Sequence, residues 1–206
     1  YHDLAMLLIK EAQQLYINDS DLEVEIKNNV FAIDATTIDV CLSAFWWAKF
    51  RTTKGGIKVH TQLDLKTSIP EFVHITTAAV HEVNVMDFIT YLPESFYVID
   101  RGYTDFQRLY HIHQTHAFFI IRAKDNLRFN RIGSAPVDKN KGVLCDQHIR
   151  LNNFYAAKEY PEQVIHRNVR TVESSAQFII LYSFGVWPVF CLKRRVKCCG
   201  YLNPNS

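Results

Sequence analysis

A chain of 206 residues with 48% hydrophobic and 21% charged residues has the composition of one globular domain with a sizeable core. Its five cysteines (Cys41, Cys145, Cys191, Cys198, Cys199) are an odd number at no framework spacing, which argues against a disulfide scaffold and fits a reducing compartment. The net charge of +2 hides an asymmetry: residues 1–100 hold 7 Lys/Arg against 14 Asp/Glu, residues 101–170 hold 12 against 6, and residues 171–206 hold 4 against 1. An acidic half followed by a basic half suits a cation site beside a polyanion-binding surface, or simply two unequal solvated faces.

The first element is a helix from Leu4 to Tyr16, with apolar residues at Leu4, Leu7, Leu8, Ala12 and Leu15. The opening Tyr1-His2-Asp3 lacks the basic and apolar regions of a signal peptide, and a start at Tyr reads as a processed product or a fragment. After Asn18-Asp19-Ser20-Asp21, an acidic connector leads to a strand from Val30 to Leu42. Gly55-Gly56 marks a turn, followed by strands Ile57 to Leu65 and Ile69 to Thr76, so three strands form an antiparallel meander. A helix from Val83 to Leu92 closes at Pro93, with His81 able to cap it and Glu82 suited to its positive end. The strand Phe96 to Asp100, a helix Asp105 to Gln114 and a strand Ala117 to Arg122 come next. Residues 125–182 read as strands and loops: Val143-Leu144, His148 to Leu151, Val164 to Val172 and Phe178 to Leu181.

The end of the chain breaks character, with no Asp or Glu in the 33 residues after Glu173. The apolar run from Phe178 to Leu192 contains Pro188 and at fifteen residues is shorter than the roughly 20 that cross a bilayer. A zinc site from Cys191, Cys198 and Cys199 lacks further ligands. His111, His113 and His116 are not on one helix face at i and i+2, and read as surface histidines.

Two segments repeat one pattern, Phe31-Ala32-Ile33-Asp34 and Tyr97-Val98-Ile99-Asp100, with their aspartates 66 positions apart. Each is an apolar, β-branched run ending in Ile-Asp. On neighbouring parallel strands both carboxylates would emerge at one end of the sheet. Close carboxylates repel, so either one holds a proton or a cation sits between them. A divalent metal site gives both aspartates a use; the alternative is that each merely ends a strand at the solvent edge. A meander, a helix, a parallel strand, a helix and a fifth strand is the order of the ribonuclease-H-like fold, which sets the first and fourth strands side by side.

Several motifs in order resemble the DDE-type transposases of bacterial insertion sequences, in the group whose catalytic domain carries a β-rich insertion. They are Ala32-Ile33-Asp34-Ala35-Thr36-Thr37-Ile38-Asp39, Gly56-Ile57-Lys58-Val59-His60-Thr61 and His81-Glu82-Val83-Asn84-Val85-Met86-Asp87. Tyr97-Val98-Ile99-Asp100-Arg101-Gly102-Tyr103-Thr104-Asp105-Phe106 and Phe118-Phe119-Ile120-Ile121-Arg122-Ala123-Lys124 complete the set. The resemblance implies a mixed α/β ribonuclease-H-like core over residues 1–124, a β-rich insertion over 125–182 and an aberrant tail over 183–206. It implies a Mg²⁺ (or Mn²⁺) enzyme that cuts transposon ends and joins them to target DNA, with Asp34 and Asp100 as catalytic metal ligands. DNA is the implied partner, a homodimer is an option, no membrane is involved, and the nucleoid of the cytoplasm is the implied location.

The family's third acid, in the pattern Tyr-x2-Arg-x3-Glu-x6-Lys, has no counterpart here. The tail from Ser183 therefore reads as a shifted reading frame, and the chain as an inactive fragment with two of three acids and an incompletely covered sheet. The cations expected at DNA are Lys49, Arg51, Lys54, Lys58, Arg101, Arg122 and Lys124. Those of the run Trp46 to Lys54 interleave with aromatics, as in stacking-plus-phosphate binding or in a hairpin end with solvated charges. Arg101 is open between a phosphate and a local carboxylate. Two competing functions remain. One is an aspartyl-nucleophile phosphohydrolase, which usually needs Asp-x-Asp-x-Thr where this chain has Asp34-Ala35-Thr36-Thr37. The other is a non-catalytic DNA-binding remnant.

Overall fold

Short apolar runs rich in aromatic and β-branched residues along Val30–Val40 (β1), Phe96–Ile99 (β4) and Phe118–Arg122 (β5) build the middle of one sheet. The computed structural model describes residues 2–16, 26–50, 54–170 and 175–181. With Gly55–Asp64 (β2), Pro70–Thr77 (β3), Phe129–Ser134 (β6), Val143–Leu151 (β7), Val164–Arg170 (β8) and Ser175–Leu181 (β9), the sheet runs β3-β2-β1-β4-β5-β9-β8-β7-β6. β1, β4 and β5 are parallel, in the registers Ile33↔Ile99 and Ile99↔Ile121; the other neighbours are antiparallel. The expected meander and the expected parallel pairing of the two Ile-Asp strands are both present, and the architecture is a mixed α/β sheet with helices, consistent with a ribonuclease-H-like fold.

One face of the central strands carries the core. Phe31 and Ile33, Tyr97 and Ile99, and Phe119 and Ile121 stack level with one another and bury against Val85, Met86, Tyr103, Leu109 and Ile112. Leu109 and Ile112 lie on Phe106–Gln114 (α2), whose first turn is capped by the Asp105 carboxylate accepting from the Arg108 N–H at 3.0 Å. On the opposite face the central-strand residues Ala32 and Val98 are only half-buried. The N-terminal helix His2–Leu15 (α1) shows its apolar stripe of Leu4, Leu7, Leu8 and Leu15 to solvent.

Three elements differ from the sequence reading. Residues Glu82–Phe88 form a 3-10 helix, shorter than the α-helix expected over 83–92, and His81 makes no side-chain cap. β-branched Val83 and Val85 with Asn84 are poor α-helix formers, and Ile89 is already extended. β6 and the short helix Phe154–Glu159 (α3) escaped the sequence reading: β6 carries Asn130 and Gly133, and α3 is six residues long. Residues 125–181 contribute β6 to β9 and α3, attached to the rest through the β5–β9 pairing. The aberrant-tail expectation for 183–206 lies outside the described residues.

Candidate metal and nucleic-acid site

The β1–β4 register makes Asp34 and Asp100 neighbours at the carboxyl end of the central strands. Asp34 is half-buried within β1, and its Oδ1 accepts from the Ala35 N–H at 2.8 Å. Asp100 follows β4 at the surface and caps the 3-10 turn Arg101–Tyr103, its Oδ2 accepting from the Gly102 N–H at 3.2 Å. One oxygen of each is thus held by backbone, fixing both carboxylates. Burial pushes the Asp34 carboxyl above the ordinary carboxylate range; the Ala35 N–H opposes this, and the charges of Asp100 and Glu82 add to it.

Glu82, read from sequence as a structural residue, is the third acid at this edge. A Cβ at Gly102 would stand 3.1 Å from Glu82 Oε2 and 3.5 Å from Asp100 Oδ2, so both oxygens crowd one point. A glycine there leaves that approach unobstructed. The Lys58 ammonium lies 3.3 Å from Glu82 Oε1 and donates to the Val80 carbonyl at 3.1 Å. The neighbouring Tyr103 is buried at 1% exposure, and its hydroxyl has no hydrogen-bond partner among the described residues. Burial raises the Tyr103 hydroxyl, and the charges of Glu82, Asp34 and Asp100 raise it further. The glutamate was findable only through the Asp-Arg-Gly-Tyr turn, where a residue without a Cβ admits a distant carboxylate.

The expected DNA-contacting cations divide. Arg122 follows Ile121, which pairs with Ile99, so Arg122 stands level with Asp100 and is exposed, as is Lys124. Arg101 is half-exposed and lies 3.8 Å from Asp125 Oδ2, the local carboxylate of its two readings. Lys49 and Lys54 are exposed at the tip of the β1–β2 hairpin with Trp46, itself 79% exposed, and Trp47. Val40 at the hairpin end lies six residues beyond Asp34, so that tip projects about 20 Å past the aspartates. Lys58 stands apart from the other cations: its side chain is 13% exposed and its ammonium pairs with Glu82. Arg51 lies outside the described residues. The three histidines are also not equivalent, since His113 is half-buried, with its Nδ1 3.0 Å from the Tyr160 hydroxyl.

Among the described residues no three His, Cys, Asp or Glu side chains form a ready-made metal cage. The donor set nevertheless suits a hard cation. Mg²⁺ takes oxygen ligands, keeps several waters and needs only one or two carboxylates. Among the described residues, no helix is long and apolar enough to cross a membrane.

A mixed sheet with one aspartate within its central strand and another just past the end of the adjacent parallel strand defines the class: an α/β domain with an acidic site at the point where β4 ends beside β1. Residues 25–183 match the family model described as Transposase DDE domain, and the chain belongs to that family. It is 30% identical over 119 residues to a Geobacillus stearothermophilus protein named as a transposase for insertion sequence element IS5377, covering 55% of this chain and 31% of that protein. It is 27% identical over 109 residues to the transposase y4zB of Sinorhizobium fredii, covering 51% and 31%. The chain thus spans about a third of the length of these curated relatives. A solved endonuclease V from Bacillus subtilis overlaps 83% of this chain and 74% of its own at 10% identity, with a TM-score of 0.31, too low to define a common fold.

Proposed function

We propose that this chain carries the first two acids of a metal-dependent DNA cleavage and strand-transfer site, Asp34 and Asp100. The observation that carries the reading is their adjacency on parallel strands within a family-matched stretch. The two carboxylates would hold Mg²⁺ or Mn²⁺, which when bound polarises the scissile phosphate and the attacking oxygen. The backbone N–H groups of Ala35 and Gly102 orient the two acids, so neither has to reorganise when a cation arrives. Arg122, Lys124 and Arg101 line the same edge and would hold the DNA backbone, while Lys49, Lys54 and the exposed tryptophans would engage it at the hairpin tip.

We read residues 1–124 as the core and 125–182 as an inserted β-rich segment. These 206 residues contain no counterpart of the pattern Tyr-x2-Arg-x3-Glu-x6-Lys, and a purified polypeptide of these residues alone is expected to bind metal and DNA without completing strand transfer. DNA, and a second copy of the chain, are the proposed partners, and the nucleoid is the proposed location. Incubation of the purified chain with supercoiled plasmid and labelled duplex in Mg²⁺ or Mn²⁺ tests this. Salt-sensitive binding with no nicking is expected. Robust nicking abolished by Asp34→Ala would overturn the inactive-chain reading, and absence of DNA binding at low salt would overturn the DNA reading.

A further inference from the structure

Glu82 lies across Gly102 from Asp100, and it already has a cation of its own. Its Oε1 faces the Lys58 ammonium at 3.3 Å, and its Oε2 and Asp100 Oδ2 lie within 3.5 Å of one point beside Gly102. The Lys58 ammonium also donates to the Val80 carbonyl at 3.1 Å, so it is held by two acceptors near the start of β2. A cluster of acids alone proves nothing about a ligand. The second observation is the Tyr103 hydroxyl, on a residue buried at 1% exposure and without a hydrogen-bond partner among the described residues; burial, and then the charges of Glu82, Asp34 and Asp100, disfavour its ionised form. A buried, unsatisfied donor costs free energy unless some state of the protein uses it. A carboxylate drawn inward from Lys58 is the acceptor this position lacks.

We propose that Glu82 is an additional carboxylate of the Asp34–Asp100 metal centre, and that Lys58 and a divalent cation are alternative partners for it. The proposal rests on the reading of Asp34 and Asp100 as a metal site. In the metal-free chain Lys58 neutralises Glu82 and limits the repulsion among three acids at one sheet edge. When a divalent ion enters, its double charge outcompetes the single ammonium, Glu82 swings toward Asp100 across the space left by Gly102, and Tyr103 donates to the displaced carboxylate. Gly102 and Tyr103 then have roles in one movement: one leaves room and the other holds the end state. Glu82 lies in the 3-10 helix before β4, far in the sequence from the helix-borne acid the family pattern describes, so it adds to the site and does not replace that residue.

The test is Mn²⁺ binding to the full 206-residue chain, read by loss of the free-ion electron paramagnetic resonance signal, with the number of waters on bound Mn²⁺ read by proton relaxation. Expected results are saturable binding to the natural sequence, loss in Asp34→Asn, and an affinity about 10-fold or more weaker in Glu82→Gln with more water left on the ion. Lys58→Met should tighten binding in the natural background and have little effect in the Glu82→Gln background, which general electrostatics would not produce. Thermal melts confirm that each variant is folded, and Tyr103→Phe supplies a milder variant expected to weaken Mn²⁺ without unfolding. No saturable binding to the natural sequence overturns the metal site itself. Binding lost in Asp34→Asn but unchanged in affinity and water number in Glu82→Gln overturns the role of Glu82 alone.

Discussion

Replacing Asp34 by Asn should stabilise the metal-free chain. Asn keeps an oxygen to accept from the Ala35 N–H, now at 2.8 Å, and removes only the charge. That charge is unfavourable where it stands: burial, then the Asp100 and Glu82 charges, hold the carboxyl above the ordinary range against the pull of Ala35. Asp34 is only half-buried, so solvent screens the unfavourable charge, and removing a charge so placed is worth about 0.5–1 kcal/mol. In a chain this long that is a rise in melting temperature of about 1–4 °C. The sign follows from linkage. A carboxyl with a raised folded pKa binds its proton better in the native state, so the natural chain loses stability as pH rises from about 4 through that raised value. The advantage of Asn should be present at pH 7 in EDTA and vanish near pH 4. Millimolar Mg²⁺ should raise the melting temperature of the natural chain and leave that of the variant unchanged. Calorimetry in the four conditions reads all of this. A variant less stable than the natural chain at pH 7 in EDTA would refute the reasoning, because the carboxylate would then be held by favourable contacts.

Three further outcomes follow from the same coordinates. Arg108 clamps Asp87 at 2.8 and 2.6 Å and Asp105 at 2.9 Å, tying α2 to the 3-10 helix before β4, so Arg108→Ala should cost about 1 kcal/mol in urea melts. The Arg108 hydrogen bond holds the Asp87 carboxyl below its ordinary range; that stabilisation is present above about pH 4 and fades as pH falls through the lowered value, so the gap between the two chains should close in acid. Gly102→Ala places a methyl 3.1 Å from Glu82 Oε2, at the end of a side chain that can move; the melt should change little while Mn²⁺ affinity falls. Trp46→Ala with Trp47→Ala, both exposed, should leave stability unchanged and weaken single-stranded DNA binding by about 1–3 kcal/mol per lost base stack, measured by fluorescence anisotropy.

The parts of the fold written in period-two alternation were legible in sequence. β1 to β5 fall within a few residues of where Val30, Ile57, Ile69, Phe96 and Phe118 announce them, and the repeated Ile-Asp ending led to the observed parallel neighbours. The helix before β4 was misread because Val83, Val85 and Met86 carry apolar content without the α-helical geometry, and consecutive burial of Val85 and Met86 suits a tighter turn. β6 and α3 carry too few periodic residues to stand out. At the site, Asp34 and Asp100 could be paired from local patterns, whereas Glu82 and Lys58 meet through the packing of separate elements. In sequence Lys58 is one more cation near the hairpin; only the packing reveals its depth and its ion pair with Glu82. His113 likewise gained its partner from Tyr160, 47 residues away on the far side of α3.

The central claim is that Asp34 and Asp100 together hold a divalent cation. The most direct measurement is the anomalous difference density of crystals of this chain grown with Mn²⁺. The account predicts a peak coordinated by carboxylate oxygens of Asp34 and Asp100, lost in Asp34→Asn. Ordered, cation-free carboxylates at saturating Mn²⁺, or a peak only at other residues, would contradict it.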